Sequence, residues 1–448
     1  MSKKPIPESG IYDARELGVP KMLVLGIQHM FAMFGATVLV PALTGLSVSA
    51  TLLFAGLGTL LFHLLAKGKV PAFLGSSFAF IGGYQAIAMV DGNLDTSLLP
   101  YACFGVALAG LMYVILSALF KVFGVKKVMR FFPPIVTGPV IICIGLTLSS
   151  SAINNCQTNW WIALVAILVV VAANIFGKGM IKIIPILLGV VASYVIAAIT
   201  GNVDFTAVKE AAWVGLPFQW GNTVFGLFGR DNLDTSLLIT AAITIMPLSL
   251  ATMVEHIGDM CAISSTCERN YLEDPGFHRT LLGDGLATTL ASLFGAPANT
   301  TYGENTGVLA LSKVYDPKVI RIAAGLAILF SFSPKFAALV SAMPQATMGG
   351  VSMVLYGMIS AVGVRNVVEN QVNFSNSRNV IIAALIMVLA IGVNYSGAVT
   401  FNVGGASISM SGLAVAAIAG ILLNAILPGK DYEFGSDQKG DTSVNFKV

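Results

Sequence analysis

The sequence predicts an all-α polytopic membrane protein of fourteen transmembrane segments, arranged as two inverted repeats of seven. Three observations predict it: an apolar composition, an alternation of basic loops, and two interrupted segments at matching positions. Of 448 residues, 56% are hydrophobic and 10% charged, with a mean hydropathy of +0.83. A soluble domain carries about 25% charged residues, and one this apolar would expose far too much hydrophobic surface. Apolar blocks of about 17–25 residues recur from Met22 to Leu427, the length of a helix crossing a bilayer core.

Taken in order, the segments begin near Met22, Ala50, Pro71, Pro100, Phe131, Trp160, Ile181, Ser236, Thr280, Pro297, Pro317, Ala338, Arg378 and Ser409. With the N-terminus placed in the cytoplasm, all of the 25 basic residues but Lys209, Arg230 and Lys335 fall on the inner side. That is the positive-inside pattern, which a miscounted segment would scramble. The N-terminal 21 residues are polar and lack the apolar stretch of a signal peptide, so the first segment is expected to direct insertion. Five cysteines at 103, 143, 156, 261 and 267 show no metal-ligand or redox spacing and read as small buried apolar residues. Cys156 and Cys267 read as lying outside the segments. The tail from Gly429 onward reads as disordered, and the outer loop from Asn202 to Asp234 as carrying short structure.

Seven is odd, so a duplicated unit of seven enters the membrane the second time in the opposite sense, a common transporter design. Segment 5 contains PPIVTGPV (133–140) and segment 12 contains PQATMGGV (344–351), with Pro, Gly and Val at shared offsets. Segment 3 places Ser76, Ser77 and Phe78 after a Pro-Ala pair; segment 10 places Thr300, Thr301 and Tyr302 after another. Both matches lie seven segments apart. These two segments are also the poorest helices, joining weak helix formers to Gly75 and Gly303 behind a proline. Broken backbone at membrane depth is tolerated only where protein or a water-filled cavity satisfies it. A matched pair of interrupted segments is therefore the pointer to a binding site.

The ionisable residues inside segments are acids. Glu255 and Asp259 lie four apart on segment 8, in TMVEHIGDM, and share a helix face. Asp284 lies on segment 9 and Glu304 on segment 10. An acid at the bilayer centre costs about 2.5–3.5 kcal/mol on insertion scales, so four cost roughly 10–14 kcal/mol. With no Lys or Arg well inside any segment, burial and mutual repulsion favour the neutral acid. At least one is expected to hold a proton at rest and to release it when ligand or access changes, the physical basis of proton coupling. His256 points roughly 100° from Glu255 around the helix and reads as a structural hydrogen-bonder. His63 reads as unremarkable core, and His29, beside Gln28 on segment 1, admits either reading. Carboxylates accept N–H donors and free backbone N–H groups donate to carbonyls. A small planar ring alternating N–H and C=O suits both, with Phe78 and Tyr302 available to stack on it.

These residues resemble the nucleobase–ascorbate transporter family, closest to its bacterial uracil permeases. The family signature, Gln, Glu or Pro followed by N-x-G-x-x-x-x-T and a basic or glycine position, reads here E-N-T-G-V-L-A-L-S-K from Glu304 to Lys313. Ser312 replaces the usual Thr. IQHMFAMFGATVLVP, PAFLGSSFAF, VEHIGD and GGVSMVLYG extend the likeness over nearly the whole chain. The resemblance implies short antiparallel strands in segments 3 and 10. It also implies a core domain of residues 22–124 and 236–336 and a gate domain of residues 125–201 and 337–428. Around these lie an N-terminal segment 1–21, an extracytoplasmic loop 202–235 and a cytoplasmic tail 429–448. Substrate would sit where core meets gate, and the core would move against the gate. By position, Glu255 would bind the base edge, backbone N–H groups of Phe78 and Gly303 its carbonyls, and Glu304 the base or its proton. Tyr302 would line the site, with Ser352 and Tyr356 contacting from the gate. Glu255, Glu304, Asp259 and Asp284 are the proton-coupling candidates; Gln28, His29 and Asn305 support them.

The implied activity is proton-coupled uracil import across the cell membrane, with H+ as coupling ion, no cofactor or metal, no nucleic-acid partner, and a homodimer formed through the gate. Two positions depart from the uracil pattern. Asp259 stands where those permeases carry histidine, and Asp284 where an amide is found. Acids at both resemble xanthine and urate carriers, whereas Phe78 and N-T-T-Y-G-E-N favour uracil, so a purine permease is the alternative. An anion carrier or channel would want a positive site, and this chain supplies acids. An intramembrane enzyme is disfavoured, since no H-E-x-x-H pair, G-x-S-x-G elbow or phosphate cradle occurs.

Overall fold

A computed structural model describes residues 10–90, 93–229, 233–397, 399–403 and 406–432, with side chains excepted at 183 and 401–409. The N-terminal lysines and the tail beyond residue 432 lie outside the described residues. Proline and short polar side chains start the helices, as their capping chemistry dictates. Ser47 caps span 2 at Ala50, Asn159 caps span 6, and Asp234 and Ser411 cap spans 8 and 14. The chain runs through span 1 (Val19–Thr44), span 2 (Val48–Leu65), and span 3, a strand Leu74–Ser76 followed by helix Phe78–Ala88. Span 4 is Leu99–Phe123, span 5 Pro134–Gln157, span 6 Trp160–Phe176 and span 7 Pro185–Ile199.

The second half repeats the plan. Span 8 is Thr235–Ile245 and Leu248–Thr266, interrupted at Met246–Pro247; span 9 is Phe277–Leu293. Span 10 is a strand Asn299–Thr301 followed by helix Gly303–Ser312. Span 11 is Pro317–Ser331 with Pro334–Ser341, bent by 89°. Spans 12, 13 and 14 are Gln345–Glu369, Ser377–Ser396 and Gly412–Ile426. Among the described residues, seven helices are long and apolar enough to cross a membrane, or eight with the bent pair. The remaining crossings are shorter or broken. The protein is a multi-pass membrane protein.

Two expectations shift. Span 12 starts at Gln345, not near Ala338: Pro334, with Ser333 capping Phe336, starts a separate bent helix, and the next proline, Pro344, starts span 12. The division drawn at 336/337 therefore falls inside the helix Pro334–Ser341. Cys156 lies within the last turn of span 5 rather than beyond it. A hairpin of Val399–Val403 with Ala406–Met410 joins spans 13 and 14. The outer loop does carry short helices, Thr206–Glu210 and Val224–Leu227.

Packing repeats with a period of seven spans. Span 4 packs on span 9 as span 11 packs on span 2; span 6 packs on span 7 as span 13 packs on span 14. Span 4 meets the first part of span 8 as span 11 meets span 1, while spans 5 and 12 pack on each other. The 5–12 contact is a close backbone approach through glycines. A methyl group on Gly145 would lie 2.1 Å from the Tyr356 carbonyl oxygen, and one on Gly363 2.5 Å from the Ile142 nitrogen. Between membrane helices such approach supplies the packing that hydrophobicity cannot. Gly145→Leu is accordingly expected to abolish the monodisperse folded peak in detergent size-exclusion chromatography. Wild-type yield from this variant would contradict the 5–12 contact.

Candidate functional site

The two interrupted spans meet at their strands. Leu74 pairs with Thr301, Gly75 with Thr300 and Ser76 with Asn299, antiparallel. Ser77 N–H donates to the Ala298 carbonyl (2.8 Å) and Tyr302 N–H to that of Phe73 (3.0 Å), extending the ladder at both ends. Neighbouring spans satisfy the rest of this broken backbone, as membrane depth requires. Ser76 Oγ donates to the Thr37 carbonyl (2.9 Å), and Thr59 Oγ1 accepts from Leu74 N–H (2.9 Å). Thr288 Oγ1 donates to the Asn299 carbonyl (2.8 Å), Asn299 Nδ2 to that of Phe54 (2.9 Å), and Ala298 N–H to Tyr84 Oη (3.0 Å). The ladder is held rigidly from spans 1, 2, 3 and 9.

A half-length helix leaves each strand, starting at Phe78 and at Gly303. Neither start has a side-chain cap from its N-cap residue, Ser77 or Tyr302. First-turn N–H groups have no intrahelical partner, so the two starts present donors and the positive ends of two dipoles. Gly303 is exposed, and a methyl group there would meet no atom within 4 Å. Phe78 is buried with its ring edge-on to Tyr356 of span 12, 5.8 Å between centroids. Ser352, one turn before Tyr356, is also buried. Tyr302 turns its hydroxyl inward to the Ser76 carbonyl (2.9 Å), so its ring braces the ladder.

Span 8 packs against the ladder, the Phe78 turn and the span 10 helix. Glu255 and Asp259 are half-buried on it, and Thr301 Oγ1 donates to Asp259 Oδ2 (2.8 Å). Glu255 lies within electrostatic reach of Asp259, Asp284 and Glu304, and its Oε2 is buried without a hydrogen-bond partner among the described residues. Glu304 sits half-buried in the first turn of the span 10 helix. No lysine or arginine ion pair among the described residues reaches these acids. Asp284 is fully buried, with Oδ2 3.1 Å from Nδ1 of equally buried His256. Asn305 Nδ2 approaches His29 Nδ1 (3.1 Å) and donates to the His29 carbonyl (3.0 Å), tying span 10 to span 1; Gln28 is half-buried beside it.

The signature's last residues have a structural basis. Lys313 closes the span 10 helix in the left-handed region, φ 52°, which glycine adopts without strain. Ser312 Oγ accepts from Val314 N–H (3.2 Å), a task a threonine hydroxyl performs equally. The contacts that sequence reasoning missed are His256 with Asp284, Thr301 with Asp259, and the bracing by Thr59 and Tyr84.

Residues 20–399 match a permease family. The chain belongs to it. These are the nucleobase–ascorbate transporters that the motifs resemble. Among curated members, a uracil permease of Bacillus caldolyticus is 40% identical over 423 residues, 92% of this chain and 93% of that one. A uracil permease of Bacillus subtilis (strain 168) is 37% identical over the full length of both. The fold matches the transmembrane domain of a cyanobacterium bicarbonate transporter, BicA, with a TM-score of 0.58 at 16% identity, covering 92% of this chain and 98% of that one. The murine Solute Carrier 26 family member A9 anion transporter in the inward-facing state gives 0.58 at 12%, covering 94% and 73%. The chain thus shares its fold with a bicarbonate transporter and an anion transporter.

Proposed function

We propose that the chain is a proton-coupled symporter that imports uracil across the cell membrane by alternating access, with both termini cytoplasmic. The observation that carries this is the facing of span 8 carboxylates, with no basic ion-pair partner, by two uncapped helix starts at the paired strands. A flat ring with adjacent N–H and C=O groups complements both sets at once: Glu255 accepts from the ring N–H, and backbone N–H groups at Phe78 and Gly303 donate to its carbonyls. Phe78 and Tyr356 flank the ring position, Ser352 contacts from the same span as Tyr356, and Tyr302, Asn305, His29 and Gln28 hold the frame. Spans 1–4 with 8–11 form a core that moves against a gate of spans 5–7 and 12–14, whose outer surface supports a homodimer in the lipid bilayer.

The coupling proton is carried by one or more of Glu255, Asp259, Asp284 and Glu304. A donor from the ring favours an ionised Glu255, which in turn favours a proton elsewhere in the cluster. Two ligands whose sites interact in this way raise each other's affinity by the same factor. The relatives named as uracil permeases support the substrate, and the two extra acids, Asp259 and Asp284, keep a purine carrier as the second reading. Uptake into inside-negative and uncoupled membrane vesicles tests both claims, with labelled uracil competed by thymine, xanthine and urate. Accumulation that collapses with uncoupler and yields only to uracil and close pyrimidines is expected. Accumulation indifferent to the uncoupler removes the coupling, and xanthine outcompeting uracil replaces the substrate.

A further inference from the structure

We propose that His256 and Asp284 form a positioning pair that sets the height and rotation of span 8 at Glu255, and that Asp284 is thereby withdrawn from the set that carries the coupling proton. The second part rests on the proton-coupled reading above; the first does not.

The two side chains meet at 3.1 Å, Nδ1 to Oδ2, and both are fully buried. His256 follows Glu255 directly, so the two side chains point about 100° apart around the helix: while Glu255 faces the site, His256 faces span 9. Fixing the imidazole fixes the turn that carries Glu255. The imidazole is walled by Phe62 of span 2 (6.5 Å between centroids) and Phe277 of span 9 (6.4 Å), so its ring is confined to one direction. Asp284 is confined as well, because glycines on either side of it are pressed against neighbours. A methyl group on Gly283 would lie 2.8 Å from the Phe62 ring, and one on Gly285 2.3 Å from Tyr113 Cβ. Span 9 is therefore clamped between spans 2 and 4 at this level, unlike the half-buried acids at the site. The other ionisable groups facing Asp284 are Tyr113 of span 4 and Glu255 and Asp259 of span 8. Among these groups His256 alone offers a positive charge or a ring N–H, which makes it the natural partner of Asp284. A carboxyl with a fixed partner in a rigid box keeps one protonation arrangement through the cycle, whereas Glu255, Asp259 and Glu304 face the ligand.

The test uses the full chain in proteoliposomes: wild type, Asp284→Asn, His256→Gln and the double variant, measured for uracil KM and maximal rate and for protons moved per uracil. Each single variant is expected to raise KM about tenfold, the double to be no worse than the worse single, and each to keep the wild-type proton ratio. Losses that multiply in the double variant overturn the pair. Asp284→Asn moving uracil without protons, while His256→Gln stays coupled, overturns the withdrawal of Asp284. A wild type that moves uracil without protons defeats the coupled reading instead, and the pair is then still judged from KM and non-additivity. Should Asp284→Asn fail to fold, histidine-labelled nitrogen NMR of the wild type decides, with the His256 signal assigned by its loss in His256→Gln. A hydrogen-bonded Nδ1 signal that stays fixed on adding uracil is expected, and one that changes overturns the pair.

Discussion

Glu255→Gln is expected to lower uracil uptake at subsaturating substrate at least a hundredfold while leaving the protein folded. Gln occupies the same volume and keeps one carbonyl acceptor, so span 8 packs unchanged. What it loses is charge. Hydrogen bonds to an ionised group are worth about 1.5–3 kcal/mol each, and every 1.4 kcal/mol is a factor of ten. An amide here also turns a donor toward a ring N–H, replacing attraction with repulsion. Glu255 Oε2 has no internal hydrogen-bond partner among the described residues, so the carboxyl contributes little to the fold and its removal costs little stability. The measurement is uptake normalised to protein recovered as a monodisperse peak, with thermal unfolding in detergent as control. Normal accumulation by this variant would sink the assignment of Glu255. Loss of the folded peak would instead mean that the carboxyl is a structural group.

The residues that predicted this site did so because membranes make polarity conspicuous. An acid such as Glu255 or Glu304 in an apolar run stands out against a background cost of about 3 kcal/mol. Gly75-Ser76-Ser77 and Asn299-Thr300-Thr301 stand out as backbone no isolated helix would tolerate. Span order and the seven-span repeat were legible for the same reason. Partnerships were not. Asp284 and His256 sit on different helices, and helical periodicity names a face without naming what that face meets. Asp259 reads as a free acid until Thr301 is found donating to it. The bend between Ser331 and Pro334 was hidden because hydrophobicity continues across it, and the 399–403 hairpin because β-branched residues are as apolar as a short span. Lys313 reads as a basic residue of a motif, and only its positive φ explains why glycine is its alternative.

Gly75→Ala is expected to abolish transport although it adds one carbon. That carbon would lie 2.5 Å from the Tyr302 ring and 2.6 Å from Thr37 Oγ1, well inside contact distance. The ring has little freedom to yield, since its hydroxyl is bonded to the Ser76 carbonyl and its own N–H to the Phe73 carbonyl. Tyr302 is also the N-cap of the helix that carries Glu304. Displacing it would shift that helix start and pull apart the ladder that spaces Phe78 from Gly303. Overpacking a rigid site costs about 1–3 kcal/mol, enough to lower thermal stability measurably without unfolding the whole protein. The effect on function exceeds the effect on stability, because binding depends on the separation of the two helix starts. Replacing Tyr302 by Leu makes room for the added methyl group but removes the brace. The double variant is therefore expected to unfold at a higher temperature than Gly75→Ala alone while remaining inactive. Contacting residues couple in this way, and distant ones add. Stability losses that simply sum in the double variant would show that the space beneath Tyr302 is not what Gly75 provides, and full transport by Gly75→Ala would break the link between the ladder and the site.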